Sequence, residues 1–166
     1  MKHAFRDPLF GALAGALLLA ANIATADADR IQSDPFAQAT NGYKGCPPGA
    51  PTLVTPDEMR IIAHERAERG TYCALEGRCE AGGAYRRDPE VNERVSTAIA
   101  ADKRFAGTSV AVTTTRRFVT LTGCVRSMAQ RRALRAFVQS QSGVDRVFDE
   151  THVGTAPPKP ASTAAH

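Results

Sequence analysis

The sequence has no tryptophan and only three tyrosines and seven phenylalanines in 166 residues. A core built from it must be aliphatic and modest in size. It also lacks an apolar run of the about 20 residues that a membrane-spanning helix needs. The run Leu9 to Ala21 stops at 13 residues. There is no Cys-x-x-Cys pair, no His-x-x-x-His pair and no Cys-x-x-Cys-His. The common zinc and haem-attachment signatures are therefore missing. Gly-x-Ser-x-Gly and His-Glu-x-x-His are absent too, which removes two frequent hydrolase signatures. His64 reads as a helix-surface residue, His152 as a strand residue and His166 as part of the tail. Glu58 and Glu65 read as cap and surface charges, and Cys73-x5-Cys79 does not have the spacing of a thiol-exchange site. The expectation is a protein that is not an enzyme, with no catalytic residue, no metal and no cofactor.

What is present is a globular composition, 43% hydrophobic, with 21 basic against 17 acidic residues. Lys2 and Arg6 precede the short apolar run, and Ala24-Thr25-Ala26 is a small-x-small cleavage pattern. Together they predict a signal peptide over 1–26 and export to the periplasm, with no transmembrane segment in the mature chain. Export removes the mild basic excess from nucleic acid and turns it toward anionic envelope surfaces. Four cysteines, Cys46, Cys73, Cys79 and Cys124, then predict two disulfides, with three possible pairings.

Residues 27–54 are polar and rich in Gly and Pro, and read as an irregular linker. Thr55-Pro56-Asp57-Glu58 carries a capping box and Pro at the first helical position, so a helix is predicted to Arg69, with Gly70 as its stop. It opens a helical, cysteine-containing segment over 55–87. Asp88-Pro89 starts a second helix, with Asp88 as its cap. Val91, Val95, Ala98 and Ile99 form its core stripe, and Asn92, Glu93 and Arg94 lie outside it. Residues 108–114 form a strand, Arg116-Arg117 a turn, and 118–126 a second strand with Val119, Leu121, Gly123 and Val125 on one face. Ser127 caps a helix over 128–140 whose core residues are Ala133, Leu134, Phe137 and Val138. Gly143 ends that helix, 144–153 form the last strand, and 154–166 read as a disordered tail.

The stretch Val119-Thr120-Leu121-Thr122-Gly123-x-Val125, followed by Ser127, Ala129 and Gln130, resembles the BON domain, a module of bacterial envelope proteins. So do Val110-x-Val112, Gly143-Val144-x-x-Val147 and the helix bearing Val95, Ala98, Ile99 and Ala101-Asp102. One departure is Arg116-Arg117, where many members turn through Gly. Another is that this chain has one such unit, over 88–153, where several members have two. The resemblance implies a small α+β domain ordered helix-strand-strand-helix-strand. Its three-stranded sheet carries two helices on one face.

Two helices cover one face of such a sheet. The other carries Phe118, Thr120, Thr122 and Cys124, with Ala111, Thr113, Phe148, Glu150 and His152. The expectation is that the N-terminal segment, including the 55–69 helix, lies against or beside this face and is stapled there by Cys124. The preferred pairing is Cys46–Cys124 with Cys73–Cys79. Gly123 is expected to let a helix approach closely. The resemblance further implies a non-catalytic module that attaches to anionic phospholipid or to an envelope protein in stress protection. Arg116, Arg117, Arg126, Arg131, Arg132 and Arg135 are the candidate contacts. The alternative is a protein-interaction or chaperone-like module that binds through its sheet face or edge.

Overall fold

A computed structural model describes residues 29–155, so the signal peptide expected over 1–26 and most of the expected tail lie outside the described residues. In chain order the elements are β1 (Ile31–Gln32), β2 (Phe36–Asn41), β3 (Leu53–Val54), α1 (Pro56–Leu75), α2 (Asp88–Ala101), a 3-10 turn (Lys103–Phe105), β4 (Ser109–Thr115), β5 (Phe118–Val125), α3 (Met128–Gln139) and β6 (Arg146–Val153). Strand alternation sends Val110, Val112, Val119, Leu121, Val125 and Val147 to one side, where all are buried. The stripes of α2 (Val91, Val95, Ile99) and α3 (Leu134, Val138) close over them, and Phe105 fills the end. This is the aliphatic core that the composition calls for.

The main sheet has four strands, not three, in the order β2-β4-β5-β6. The β4–β5 hairpin is antiparallel, and β6 returns parallel to β5 after α3. The added strand, β2, comes from the segment expected to be irregular and pairs antiparallel with β4. Its sequence, Phe-Ala-Gln-Ala-Thr-Asn, has no alternation of large apolar residues. Its hold on the sheet is partly polar. The register shifts between Gln38 and Thr40, and there the Thr40 hydroxyl accepts from the Val110 amide (3.0 Å) and bonds the Thr108 hydroxyl (2.7 Å). A side chain thus satisfies a ladder group that the bulge leaves behind.

Other expectations are corrected. The capping box of α1 forms: the Thr55 amide donates to Glu58 Oε2 (2.7 Å) and the Glu58 amide donates to Thr55 Oγ1 (3.3 Å). The helix does not stop at Gly70, however, but runs to Leu75. Gly70 is its one buried residue and packs on Gly83, where a Cβ would come within 3.0 Å of the Gly83 Cα. Asn92 is not on the solvent side. It is buried, and its Nδ2 points at Pro35 O, Val112 O and Thr114 Oγ1 at 3.0–3.1 Å. Asp88 lies within α2 rather than before it. Helix α3 ends at Gln139 with Ser140 as its cap, and Gly143 sits in the turn beyond, at φ +83°. Gly123 makes no room for a helix: its φ is +112°, and a Cβ there would lie 2.1 Å from Ser109 O on the neighbouring strand. The close approach is between strands.

Candidate functional site

Both disulfides form in the preferred pairing, Cys46–Cys124 and Cys73–Cys79. What covers the outer face of the sheet is not α1 but the strap of residues 42–52, between β2 and β3. Gly49 lies over Ala111 and Phe36, where a Cβ would be 2.4 Å from the Ala111 Cβ, and its amide donates to Gln38 Oε1 (2.8 Å). The Tyr43 amide donates to Ser109 Oγ (3.0 Å). Cys46 then reaches down to Cys124, which is fully buried. Helix α1 is held elsewhere. Arg66 donates to Ser33 O and Asp34 Oδ1 (both 2.9 Å) and lies over the Tyr85 ring.

The strap covers the Cys124 end of the outer face and leaves the hairpin end open. There Phe118 and Phe148 meet edge to face with ring centroids 6.0 Å apart, and Phe148 remains 43% exposed. Arg116 lies over Phe118, and Arg146, which no sequence motif singles out, stands opposite Phe118 in the register. The turn itself is unusual. Arg116 and Arg117 both have positive φ, 55° and 62°, the backbone of a hairpin turn that favours Asn and Gly. The Asp88 carboxylate offsets the strain, accepting from the Arg116 and Arg117 amides at 2.7 Å each. Burial pushes the Asp88 pKa up, and those two bonds work against the rise.

The six candidate arginines do not form one patch. Arg117 and Arg126 are nine residues apart along an extended strand, about 30 Å. Arg117 is paired with Asp145 (2.6 Å). Arg126 donates to Gly107 O (2.9 Å) and lies over the Tyr43 ring. Arg131 donates to Asp149 Oδ2 (3.0 Å) and to Asp149 O (2.7 Å). Arg132 and Arg135 are exposed, and neither meets a carboxylate among the described residues.

Three of the six do come together. Met128, Arg131, Arg132 and Arg135 share one face of α3 at helical spacing. With Val147, Phe148 and Asp149 of β6 they line a shallow cleft of about 390 Å³. Met128 is 51% exposed, so two apolar side chains, Met128 and Phe148, border two unpaired guanidinium groups. No local pattern marks Met128, Phe148 and Asp149 as members of one cleft, because only the parallel return of β6 brings Phe148 and Asp149 beside α3.

The same region seals the outer edge of β6. The Val147 amide donates to Gln139 Oε1 (3.1 Å), Arg131 covers Asp149 O, and the Thr151 amide donates to Asp149 Oδ1 (3.0 Å). Three backbone groups that an added strand would use are thus occupied by side chains. The described residues include no helix long and apolar enough to cross a membrane and no cluster suited to a metal ion. Residues 87–155 match the family model described as BON domain. No curated protein and no solved structure matches the chain.

Proposed function

The chain carries a single BON domain over residues 87–155, and from that premise we propose that it is a non-catalytic module attaching peripherally to anionic phospholipid at the cell envelope, in stress protection. BON domains are known as phospholipid- or envelope-binding modules. The observation that carries the proposal is the α3–β6 cleft, where unpaired Arg132 and Arg135 stand beside exposed Met128 and Phe148. Each basic residue near an anionic surface contributes about 1 kcal/mol. The two apolar tips add contact at the headgroup level without spanning the membrane. The two disulfides support export, and a periplasmic location fits them. Arg116 and Arg146 form a second basic site at the hairpin end. Arg117, Arg126 and Arg131 contribute less, since each is engaged within the fold.

The test is flotation of the oxidised protein with vesicles of anionic or zwitterionic lipid. The expected outcome is flotation with anionic vesicles only, lost at high salt and weakened about tenfold or more in Arg132→Ala/Arg135→Ala. Absence of flotation in every condition would overturn the proposal. It would favour a protein-interaction or chaperone-like module, for which the half-open Phe118–Phe148 face is the supporting feature. The β6 edge is a poor candidate for that role because three of its backbone groups are already occupied.

A further inference from the structure

We infer that the Cys46–Cys124 bridge is a directional, thiol-reducible latch, opened by attack on Cys46 with Cys124 leaving under the assistance of His152. Two observations carry this. The register places His152 directly opposite Cys124, and His152 Nε2 lies 3.5 Å from Cys124 Sγ. The two cysteines also differ in access: Cys46, on the strap, is 9% exposed, while Cys124, near the end of β5, is 0% exposed. Thiol–disulfide exchange depends on which sulfur can be reached and on how readily the other departs as a thiolate. Here the cysteine with the greater exposure is on the strap, and the one that departs stays on the sheet beside a ring nitrogen. In the tautomer with its proton on Nε2, His152 donates to the sulfur as negative charge develops on it. The Cys73–Cys79 bridge closes the far end of α1, and no histidine contact to either of its sulfurs occurs among the described residues. It is an internal reference within the same molecule.

The step balances with a dithiol as reductant. One thiolate of the dithiol attacks Cys46 Sγ, the Cys46–Cys124 bond breaks, and Cys124 leaves with the electron pair. The second thiolate then attacks the reductant's own sulfur in the mixed disulfide and displaces Cys46. The dithiol ends as a disulfide, having given up two electrons and two protons, and the protein gains two thiols. Opening frees the strap from its covalent anchor. The Gly49–Gln38 and Tyr43–Ser109 hydrogen bonds are then left to hold it over Ala111 and Cys124.

The experiment treats the oxidised full chain briefly with limiting glutathione, a monothiol that resolves a mixed disulfide only through a second glutathione, then quenches with acid, alkylates and maps both bridges by peptide mass spectrometry. The expected result is glutathione on Cys46 and alkyl on Cys124. In His152→Phe this bridge opens about tenfold more slowly, the worth of one hydrogen bond to a developing charge. His152→Gln, which keeps an N–H donor, recovers most of the rate. Opening of Cys73–Cys79 is the same in all three proteins. Glutathione on Cys124, an unchanged rate in His152→Phe, or equal slowing of both bridges would overturn the inference. Should His152→Phe fail to fold, the position of the glutathione in the unmodified chain still decides the direction.

Discussion

Asp88 does two jobs that usually fall to different residues. It sits in the first turn of α2, where a carboxylate suits the helix dipole, and it holds a left-handed Arg-Arg turn by both of its oxygens. Its pKa is raised by burial above the ordinary 3.8. The folded state therefore binds the Asp88 proton more tightly than the unfolded chain does, and stability is lost as pH rises from 3.8 through the raised value. Glu58 has the opposite sign. Its bonds to Thr55 hold its pKa below 4.5, so its contribution is present above 4.5 and lost as pH falls through the lowered value. Asp88→Asn should flatten the first of these slopes and leave the second. Because an amide oxygen replaces only one of the two acceptors, the hairpin turn should also exchange its amide hydrogens faster. Urea midpoints from pH 3 to 7 and hydrogen exchange at Arg116 and Arg117 check both. From sequence, Asp88-Pro89 reads as a helix start, which is close to correct. The second role depends on a contact 28 and 29 residues away, and no local pattern encodes it. Asn92 is the same case: a polar residue beside a core stripe reads as exposed, until three acceptors on other elements surround it.

At the scale of elements, what could be read and what could not follow from where the apolar residues lie. Strands β4, β5 and β6 and helices α2 and α3 carry their burial pattern in their own side chains, so period alone identifies them. Strand β2 does not. Its partner supplies the apolar surface, and its own contribution is backbone pairing and the Thr40 hydroxyl. Helix α1 was legible at its start through the capping box but not at its end. Gly70 is there for the close approach to Gly83, and a glycine that stops a helix looks the same in sequence as one that lets two backbones meet. Of the candidate arginines, the α3 triplet was legible by spacing. Their separation into engaged and free was not, because Asp145 and Asp149 face them only after the chain has returned as β6. The side-chain seal on β6 also makes a prediction. Arg131→Ala/Gln139→Ala should uncover the Asp149 carbonyl and the Val147 amide, leaving an edge open to pairing with another chain. Sedimentation velocity should show more large species than in the unsubstituted protein, rising with concentration. No change in the distribution would show that the edge is protected by something else.

For the whole molecule, the long disulfide joins residues 78 apart, so it joins the strap to the unit over 87–155 that matches the BON domain model and closes most of the described chain into one loop. In the chain-entropy account such a closure contributes about 4–5 kcal/mol by restricting the unfolded state. Cys46→Ala/Cys124→Ala should therefore lower the unfolding free energy by about that amount, a large share of what a small domain has. Cys73→Ala/Cys79→Ala, which opens a loop of only six residues at the end of α1, should cost distinctly less. Chemical denaturation of the two variants side by side is the check, and equal losses would contradict the argument.

The same bridge decides how the molecule answers to force. A pull applied between the two ends of the described chain enters along residues 29–46, crosses from Cys46 to Cys124 through two sulfur atoms, and leaves along 124–155. Helices α1 and α2, strand β4 and nearly all of β5 lie inside the bypassed loop, off the covalent path of the load. About 260 Å of contour is thereby withheld from extension. A protein anchored at one end and tugged at the other would lengthen only through β2, α3, β6 and their flanking chain, and the looped elements would stay unextended for as long as the latch stays shut.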